Sequence, residues 1–542
     1  MLMTGSATAR FDKIAPFIAI PLLLLSGAMQ VRFAIMGDKG WLLLAAGEWL
    51  SGKKLYVDIF EVNPPLIIWL YAAAVWVSRH ITFFTDYAAM GCMGLIATGT
   101  SILLSLRLIS AHPAFAEEPG KRTEFMLLLA AIFIFLISPV YFFDREQIML
   151  TLTFPYVVRF MPSLARMSYP LSMRLAIGLL AAIGFSIKPH AALVFVLLQL
   201  IYLVRERSPF ILASIENIVI YLFGVTYLAI IVCTMPEYFT TVLPMAIAVY
   251  SSYSSPGSLH YHFPIIFITA TIPLLDFRPR YVTPFRREIY YIILVTLIYF
   301  GYAVINNGWG YTYQPLYCML TFLTAWLWWE YDWLKRQHVA RSLPSKQFEV
   351  GLRGCLYCLA INGIYGLLAL NAMLSSPDCG GYSGCIANKA FVDAIHDNGF
   401  RSFGVMSGEF TRWPEITRQS GARWDTRFNH LWMVPGLIKA QEQKATSDKW
   451  NSDQWIITYV GQAFADDFER RKPDAMFIDH SDEFFTYPQH PVDVLAMLEV
   501  VPEFKKAWSH YHYVSSINHC KSKVPESGQV VGCRYDIYRW KQ

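Results

Sequence analysis

The sequence predicts a polytopic α-helical membrane protein with a C-terminal α/β domain on the extracytoplasmic side. Three observations lead there. Hydrophobic residues make up 55% of the chain and charged residues only 16%, where an ordinary soluble protein carries about a quarter charged residues. Apolar residues come in successive runs from Phe11 to about Leu374, many of them close to the roughly 20 helical residues that cross a bilayer. After Ser375 no run of that length recurs, and the remaining stretch of about 165 residues has the charge and the length of a water-soluble domain. The expected organisation is therefore a membrane module over 1–374 and a soluble domain over 375–542. A net charge of +5 with so few charged residues excludes a basic nucleic-acid binder and a disordered scaffold.

The first run, Ile14 to Met36, follows Arg10 and Lys13, but it is too long for a signal-peptide core and lacks a small-residue cleavage site, so it reads as a retained helix. Further spans are expected near 87–108, 124–142, 147–164, 174–187, 190–204, 211–234, 263–277, 288–305, 311–329 and 350–373, about 11 crossings in all. A cytoplasmic N-terminus puts Arg107, Lys121, Arg122, Arg166, Arg174, Arg205, Arg207, Arg278, Arg280, Arg286, Arg287, Lys335 and Arg336 in inner loops, as the positive-inside rule asks. That assignment holds only if Pro64 to Ser78 lies at the outer surface as a juxtamembrane helix. An odd number of crossings then leaves the C-terminal domain outside.

The nine cysteines agree with this topology. Cys92, Cys233, Cys318, Cys355 and Cys358 fall in apolar runs, where a thiol is ordinarily a small buried hydrophobe. The other four form two local pairs in the soluble domain, Cys379 with Cys385 and Cys520 with Cys533, as suits disulfides in an oxidising compartment. Four reduced thiols in an inverted, cytoplasmic domain are the alternative.

Polar residues gather in a few loops on the expected outer side. Gly37, Asp38 and Lys39 follow the first helix, then an amphipathic stretch Trp41 to Leu50, then LYVDIFEVNPPL from Leu55 to Leu66. The third helix ends in Phe142, Phe143, Asp144, Arg145 and Glu146; Lys188, Pro189 and His190 join the fifth to the sixth; Asn306 to Tyr311 join the ninth to the tenth. Any one of these groups reads equally as an anchor at the interface. Four such loops on one side point to a shared polar cavity.

The order of a first helix, Asp38, a helix ending LSGKKLY and an acidic residue shortly before Pro64-Pro65-Leu66 resembles the start of polyprenyl-phosphate-sugar-dependent glycosyltransferases of the GT-C fold. The chain is most similar to the lipid A aminoarabinose and galacturonic acid transferases and, more distantly, to the protein O-mannosyltransferases, over roughly its first 370 residues. The resemblance implies a bacterial inner-membrane enzyme with a polyprenyl-phosphate-sugar donor and a lipid, glycan or protein acceptor of the envelope. It makes Asp38 the catalytic carboxylate. Lys39 stands where the family often has a second acidic residue, and Asn63 where the aminoarabinose transferases carry a lysine before the PPL triplet. No phosphate-binding role is carried over to Asn63.

The outer residues suit that chemistry. An attacking hydroxyl needs a carboxylate to take its proton, and a departing lipid phosphate needs cationic or hydrogen-bonding groups. Asp38 is the expected general base, with helix capping as its alternative. Arg145 and Lys188 are the candidates for the donor phosphate, and His190 either assists them or caps its helix. Asp58, Glu61 and Glu146 are candidates for sugar or acceptor hydroxyls, the alternative being that Asp58 and Glu61 hold their own loop's amides. Trp309 and Tyr311 either stack on a sugar or belong to the interfacial aromatic belt. A divalent metal is allowed but not required, because no carboxylate pair or histidine cluster demands one; His260 and His262 lack a third ligand nearby. Segment 235–262, for its Gly, Ser and Pro content, reads as a mobile loop over the cavity.

In the soluble part, helices near 389–397, 453–471 and 491–507 alternate with strands at Ser402 to Met406, Ala475 to Ile478, 511–516 and 534–539, predicting a partly parallel sheet. No Gly-rich phosphate loop follows a strand, and Asp479 to Glu483 reads as a solvated loop rather than an acceptor site. Two rival functions are a transporter or flippase of lipid-linked sugars and a non-catalytic receptor. Against the first, no internal repeat is visible and the ionisable groups cluster at one side.

Overall fold

The structure, a computed structural model, describes residues 38–116, 119–130, 132–133, 142–207, 209–250, 283–305, 310–336, 385–409, 412–434, 438, 454–480, 493–523 and 530–541. The spans expected at 14–36, 263–277 and 350–373 lie outside these residues. So do Trp309, His260, His262, Cys379 and positions 481–483.

Along the chain run helices α1 (Asp38–Leu50), α2 (Leu66–His80), α3 (Asp86–Ile109), α4 (Pro119–Ala130), α5 (Arg145–Arg159), α6 (Leu171–Ser186), α7 (Pro189–Glu206), α8 (Ile215–Thr234), α9 (Leu243–Tyr250), α10 (Arg286–Ile305) and α11 (Gln314–Arg336). There follow α12 (Cys385–Asp397), β1 (Ser402–Met406), α13 (Trp413–Ser420), β2 (Arg423–Trp424), α14 (Gln454–Arg470), β3 (Ala475–Asp479), α15 (Val494–Leu498), α16 (Pro502–Trp508), β4 (Tyr511–Lys523) and β5 (Val530–Trp540). Among the described residues, four helices are long and apolar enough to cross a membrane: α3, α7, α8 and α10. Their outward side chains are themselves apolar, as at Val204, Leu222, Val225 and Leu297, each more than half exposed. Such a surface suits lipid and not water.

The chain divides into two compact units. Described residues within 87–228 and 255–370 make a helical unit, and those within 34–86, 229–254 and 371–542 make a second. The division is not the single cut near 375 that composition suggests. The reason is local: the loop before α2 is stitched to the sheet, where the Phe60 amide donates to the Arg427 carbonyl at 2.8 Å and the Phe60 and Phe428 rings meet at 5.0 Å.

At the centre of the helical unit lies α5, whose residues are all buried. It packs on α6 and α11, α7 packs on α6 and α10, and α10 on α11. Gly184 lets α6 approach α5, since a Cβ there would stand 2.7 Å from the Thr153 methyl. Pro155 inside α5 has no N–H to give the Thr151 carbonyl four residues back. The Ser101 hydroxyl of α3 donates to that carbonyl instead, at 2.6 Å. A ring of amide and hydroxyl bonds among Tyr156, Gln199 and Asn217 ties α5, α7 and α8 together. In an apolar surrounding such groups must be paired within the protein.

The second unit carries a five-stranded sheet in the order β2-β1-β3-β5-β4. β1 runs parallel to β2 and β3, while β5 runs antiparallel to β3 and β4. β1 and β3 are buried along their whole length, as central strands covered on both faces must be. Phe391, Trp413 and Tyr535 pack edge to face on one side of them. The helix expected over 491–507 is two helices, α15 and α16, because Pro502 opens a new one and cannot continue the old. α13 and β2 are short elements that the sequence reading does not contain. The β4–β5 register sets Cys520 opposite Cys533.

Candidate functional site

In the helical unit, charged residues meet where three helices have their ends. Asp144 caps α5, its carboxylate accepting from the Arg145 amide at 2.7 Å. Arg145 and Glu146 therefore open α5 rather than close the preceding helix, as the sequence suggested. Phe143 just before the cap has φ +56°, rare for a bulky side chain, and turns the chain into α5. Its ring packs so closely on Gly94 that a Cβ there would stand 3.0 Å away. Lys188 caps α7 with backbone only, and Pro189 fills the first helical position.

These elements bring Lys188 to Glu146. The ammonium donates to Glu146 Oε1, and the Tyr302 hydroxyl of α10 donates to the same oxygen at 3.2 Å. Glu146 is 1% exposed, and its Oε2 has no hydrogen-bond partner among the described residues. The Tyr311 ring faces both cations, with Lys188 Nζ 5.1 Å and Arg145 Cζ 5.8 Å from its centroid. The N-termini of α5 and α7 add the positive ends of two helix dipoles.

An apolar cavity of about 360 Å³ begins beside this cluster. Leu193, Val194, Leu197, Leu200 and Ile201 of α7 line one wall and Leu294, Leu297, Ile298 and Gly301 of α10 the other. His190 and Tyr302 also line it, and they are the groups nearest the cluster in sequence and contact. A Cβ added at Gly301 would meet nothing within 4 Å. Exposed at the first turn of α7, His190 belongs to the cavity wall and donates no cap.

At the other end of α5, about 22 Å away, cations are matched one for one or two for one. Arg159 and Arg174 both bond Glu216, Arg166 and Arg205 both bond Glu206, and Arg286 bonds Glu330. These are residues of the loops expected to be basic. Their acidic partners leave them a structural role.

The second unit holds the other expected residues. Asp38 is the first residue of α1, half-buried, where a carboxylate is favoured by the helix dipole. Lys39 beside it is 1% exposed. The stretch read as amphipathic is buried on more than one side, including Lys39, Trp41, Leu42, Leu43, Ala45 and Ala46. Glu61 accepts from the Trp41 indole at 2.6 Å, from the Asn63 amide at 2.8 Å and from the Asn63 side chain. The Tyr56 hydroxyl closes the loop on the Asn63 carbonyl at 2.8 Å. Asp58 accepts from the Lys54 amide at 3.0 Å and pairs with Arg470, the last residue of α14, and with Arg471 just after it. Burial by itself would raise its carboxyl, but the Lys54 amide and the Arg471, Arg470 and Arg427 guanidiniums hold it below its usual value. Asp58 and Glu61 each accept from an amide of their own loop.

The cluster thus joins Arg145, Glu146, Lys188 and Tyr311 and adds Tyr302, which sequence reasoning missed because a tyrosine in an apolar run reads as an interfacial residue. Trp309 and Cys379 lie outside the described residues. Among the described residues no group of three His, Cys, Asp or Glu side chains is placed to hold a metal ion.

No protein-family model matches the chain, and no curated protein matches it. Among solved structures it is similar to the crystal structure of ArnT from Cupriavidus metallidurans bound to undecaprenyl phosphate. The identity is 13% and the TM-score 0.43, and the match covers 97% of this chain and 98% of that one.

Proposed function

We propose that the chain is an integral membrane glycosyltransferase that moves a sugar from a polyprenyl-phosphate carrier to an envelope lipid, polysaccharide or protein. The carrying observation is the junction of two unlike surfaces within the helical unit: a charged cluster holding two cations and an apolar cavity that meet at Tyr302. A ligand for both has an anionic head and a long apolar tail, and a polyprenyl phosphate has that shape. Lys188 and Arg145 take the phosphate, and the dipoles of α5 and α7 favour it. Tyr311 orders the two cations and offers a ring edge to the sugar.

Asp38 is the base. The motif from Asp38 to Leu66 supports this reading, and the residue stands at the start of a helix. It takes the acceptor hydroxyl's proton as that oxygen attacks the anomeric carbon in line with the leaving phosphate, so the product is inverted. Asp58 and Glu61 shape the loop and are not assigned to the sugar. We place the reaction on the extracytoplasmic face of a bacterial inner membrane, with a cytoplasmic N-terminus, about 11 crossings and disulfides joining Cys379 to Cys385 and Cys520 to Cys533.

The test is transfer of label from a polyprenyl-phosphate sugar in membranes containing the chain. Wild type is expected to move label into an acceptor fraction, and Asp38→Asn to bind donor without doing so. Label that crosses the bilayer still attached to its carrier identifies a flippase instead.

A further inference from the structure

The four charged side chains at the α5 and α7 starts, Asp144, Arg145, Glu146 and Lys188, sum to zero. A site meant only to hold phosphate tightly has no need of a buried carboxylate on its lysine. Glu146 occupies Lys188 through one oxygen, shares that oxygen with Tyr302, and leaves its other oxygen without a hydrogen bond among the described residues. It accepts from Lys188, the cation assigned to the phosphate, and it carries the phosphate's sign.

Transfer changes the charge of the lipid. The bond from acceptor oxygen to anomeric carbon forms as the bond from that carbon to the phosphate oxygen breaks. The bonding pair leaves with the phosphate oxygen, and the acceptor's proton passes to Asp38. The donor, a phosphodiester, has one negative charge; the product, a phosphomonoester, has close to two at neutral pH. Two cations without a counter-charge, one buried and one partly so, would hold the product better than the donor, and the enzyme would stall on it. A carboxylate on Lys188 reverses that order, because its repulsion grows with the ligand's charge and is felt strongly where water is scarce.

We propose that Glu146 is a selectivity residue, which sets the cluster's charge so that the diester donor is preferred and the monoester product is released. This rests on the reading that the cluster holds the donor phosphate. Glu146 acts through Lys188 and is a positioning residue, with no bond to the reacting carbon.

The experiment is competition binding with the purified full-length chain in lipid nanodiscs, using a labelled polyprenyl-phosphate sugar against unlabelled polyprenyl monophosphate. Glu146→Gln is expected to tighten the monophosphate about tenfold while the donor shifts less than about threefold. Glu146→Asp keeps the charge and is expected to keep the wild-type ratio. Arg145→Gln removes a cation and is expected to move the ratio the other way, weakening monophosphate more than donor, which provides the test even where Glu146→Gln does not fold. Equal weakening of both ligands in Glu146→Gln, or an unchanged ratio in Arg145→Gln, overturns the proposal and leaves Glu146 a structural partner of Lys188. Absence of monophosphate and donor binding by wild type overturns the underlying reading of the cluster instead.

Discussion

Glu146 in the helical unit and Glu61 in the second unit are both buried carboxylates, 1% and 3% exposed, yet their oxygens are used differently. Glu61 spends both: Trp41 donates to one and Asn63 twice to the other. Glu146 shares one oxygen between Lys188 and Tyr302 and keeps the second without a hydrogen bond among the described residues. The same contrast holds for cations. Arg159, Arg174, Arg205 and Arg286 meet glutamates at the far end of α5, whereas the glutamate that Lys188 meets is shared with Tyr302, a residue that lines an apolar cavity. Burial and charge alone do not mark a site. Glu146 differs in that its bonded oxygen is shared with Tyr302, on the wall of that cavity.

The widest separation of the two roles is expected at Asp38, which opens a helix in the unit where Asp58 and Glu61 bond their own loop. Asp38→Asn should lower transfer about 10³-fold with an unchanged melting temperature. A loss of stability with normal turnover per folded molecule would make it a helix cap. The reverse pattern is expected at Glu61. Glu61→Ala strands the Trp41 indole and the Asn63 amide, which should cost about 2–3 kcal/mol of stability while donor affinity stays within about twofold, read by thermal unfolding and lipid binding together.

Smaller effects sharpen the contrast. Gly301→Phe adds a ring where an added Cβ meets open space, so it should weaken a polyprenyl ligand about tenfold and leave a short-chain phosphate's affinity as it was. Equal affinities for the long lipid in both proteins would remove the cavity from the account. The smallest effect concerns acid. Asp58 has its carboxyl held below the usual 3.8, so its charged form stabilises the fold above that value and the gain is lost as pH falls through the lower folded value. The difference in melting temperature between wild type and Asp58→Asn should be constant above about pH 5 and shrink below about pH 4. A difference that grows on acidification would reverse the sign of the Asp58 interaction.

Much of the helical unit is legible in sequence because its signal is local. Apolar runs at 87–108, 190–204, 211–234 and 288–305 reappear as α3, α7, α8 and α10, with α3, α7 and α10 extended by one or two residues at one or both ends and α8 starting four residues later, after a 3-10 turn at Pro209–Ala213. The clasp on Thr151 was legible in principle, since Pro155 announces a carbonyl in need of a donor. Pairings over long separations were not. Nothing in the neighbourhood of Glu146 names Lys188, 42 positions on, or Tyr302, 156 positions on. Likewise Asp58 gives no sign of Arg471, 413 positions away, and that bond adds to the Phe60 contacts that tie the loop before α2 to the C-terminal residues. β2 and α13 are too short to show a period.

The most direct test of the contrast is equilibrium binding of a labelled polyprenyl phosphate to wild type, Lys188→Gln and Glu61→Gln in lipid nanodiscs. Saturable binding by wild type, kept by Glu61→Gln and weakened about 10- to 100-fold by Lys188→Gln, is the expected result. Binding by Lys188→Gln as tight as wild type would contradict the assignment of the cluster to the lipid phosphate.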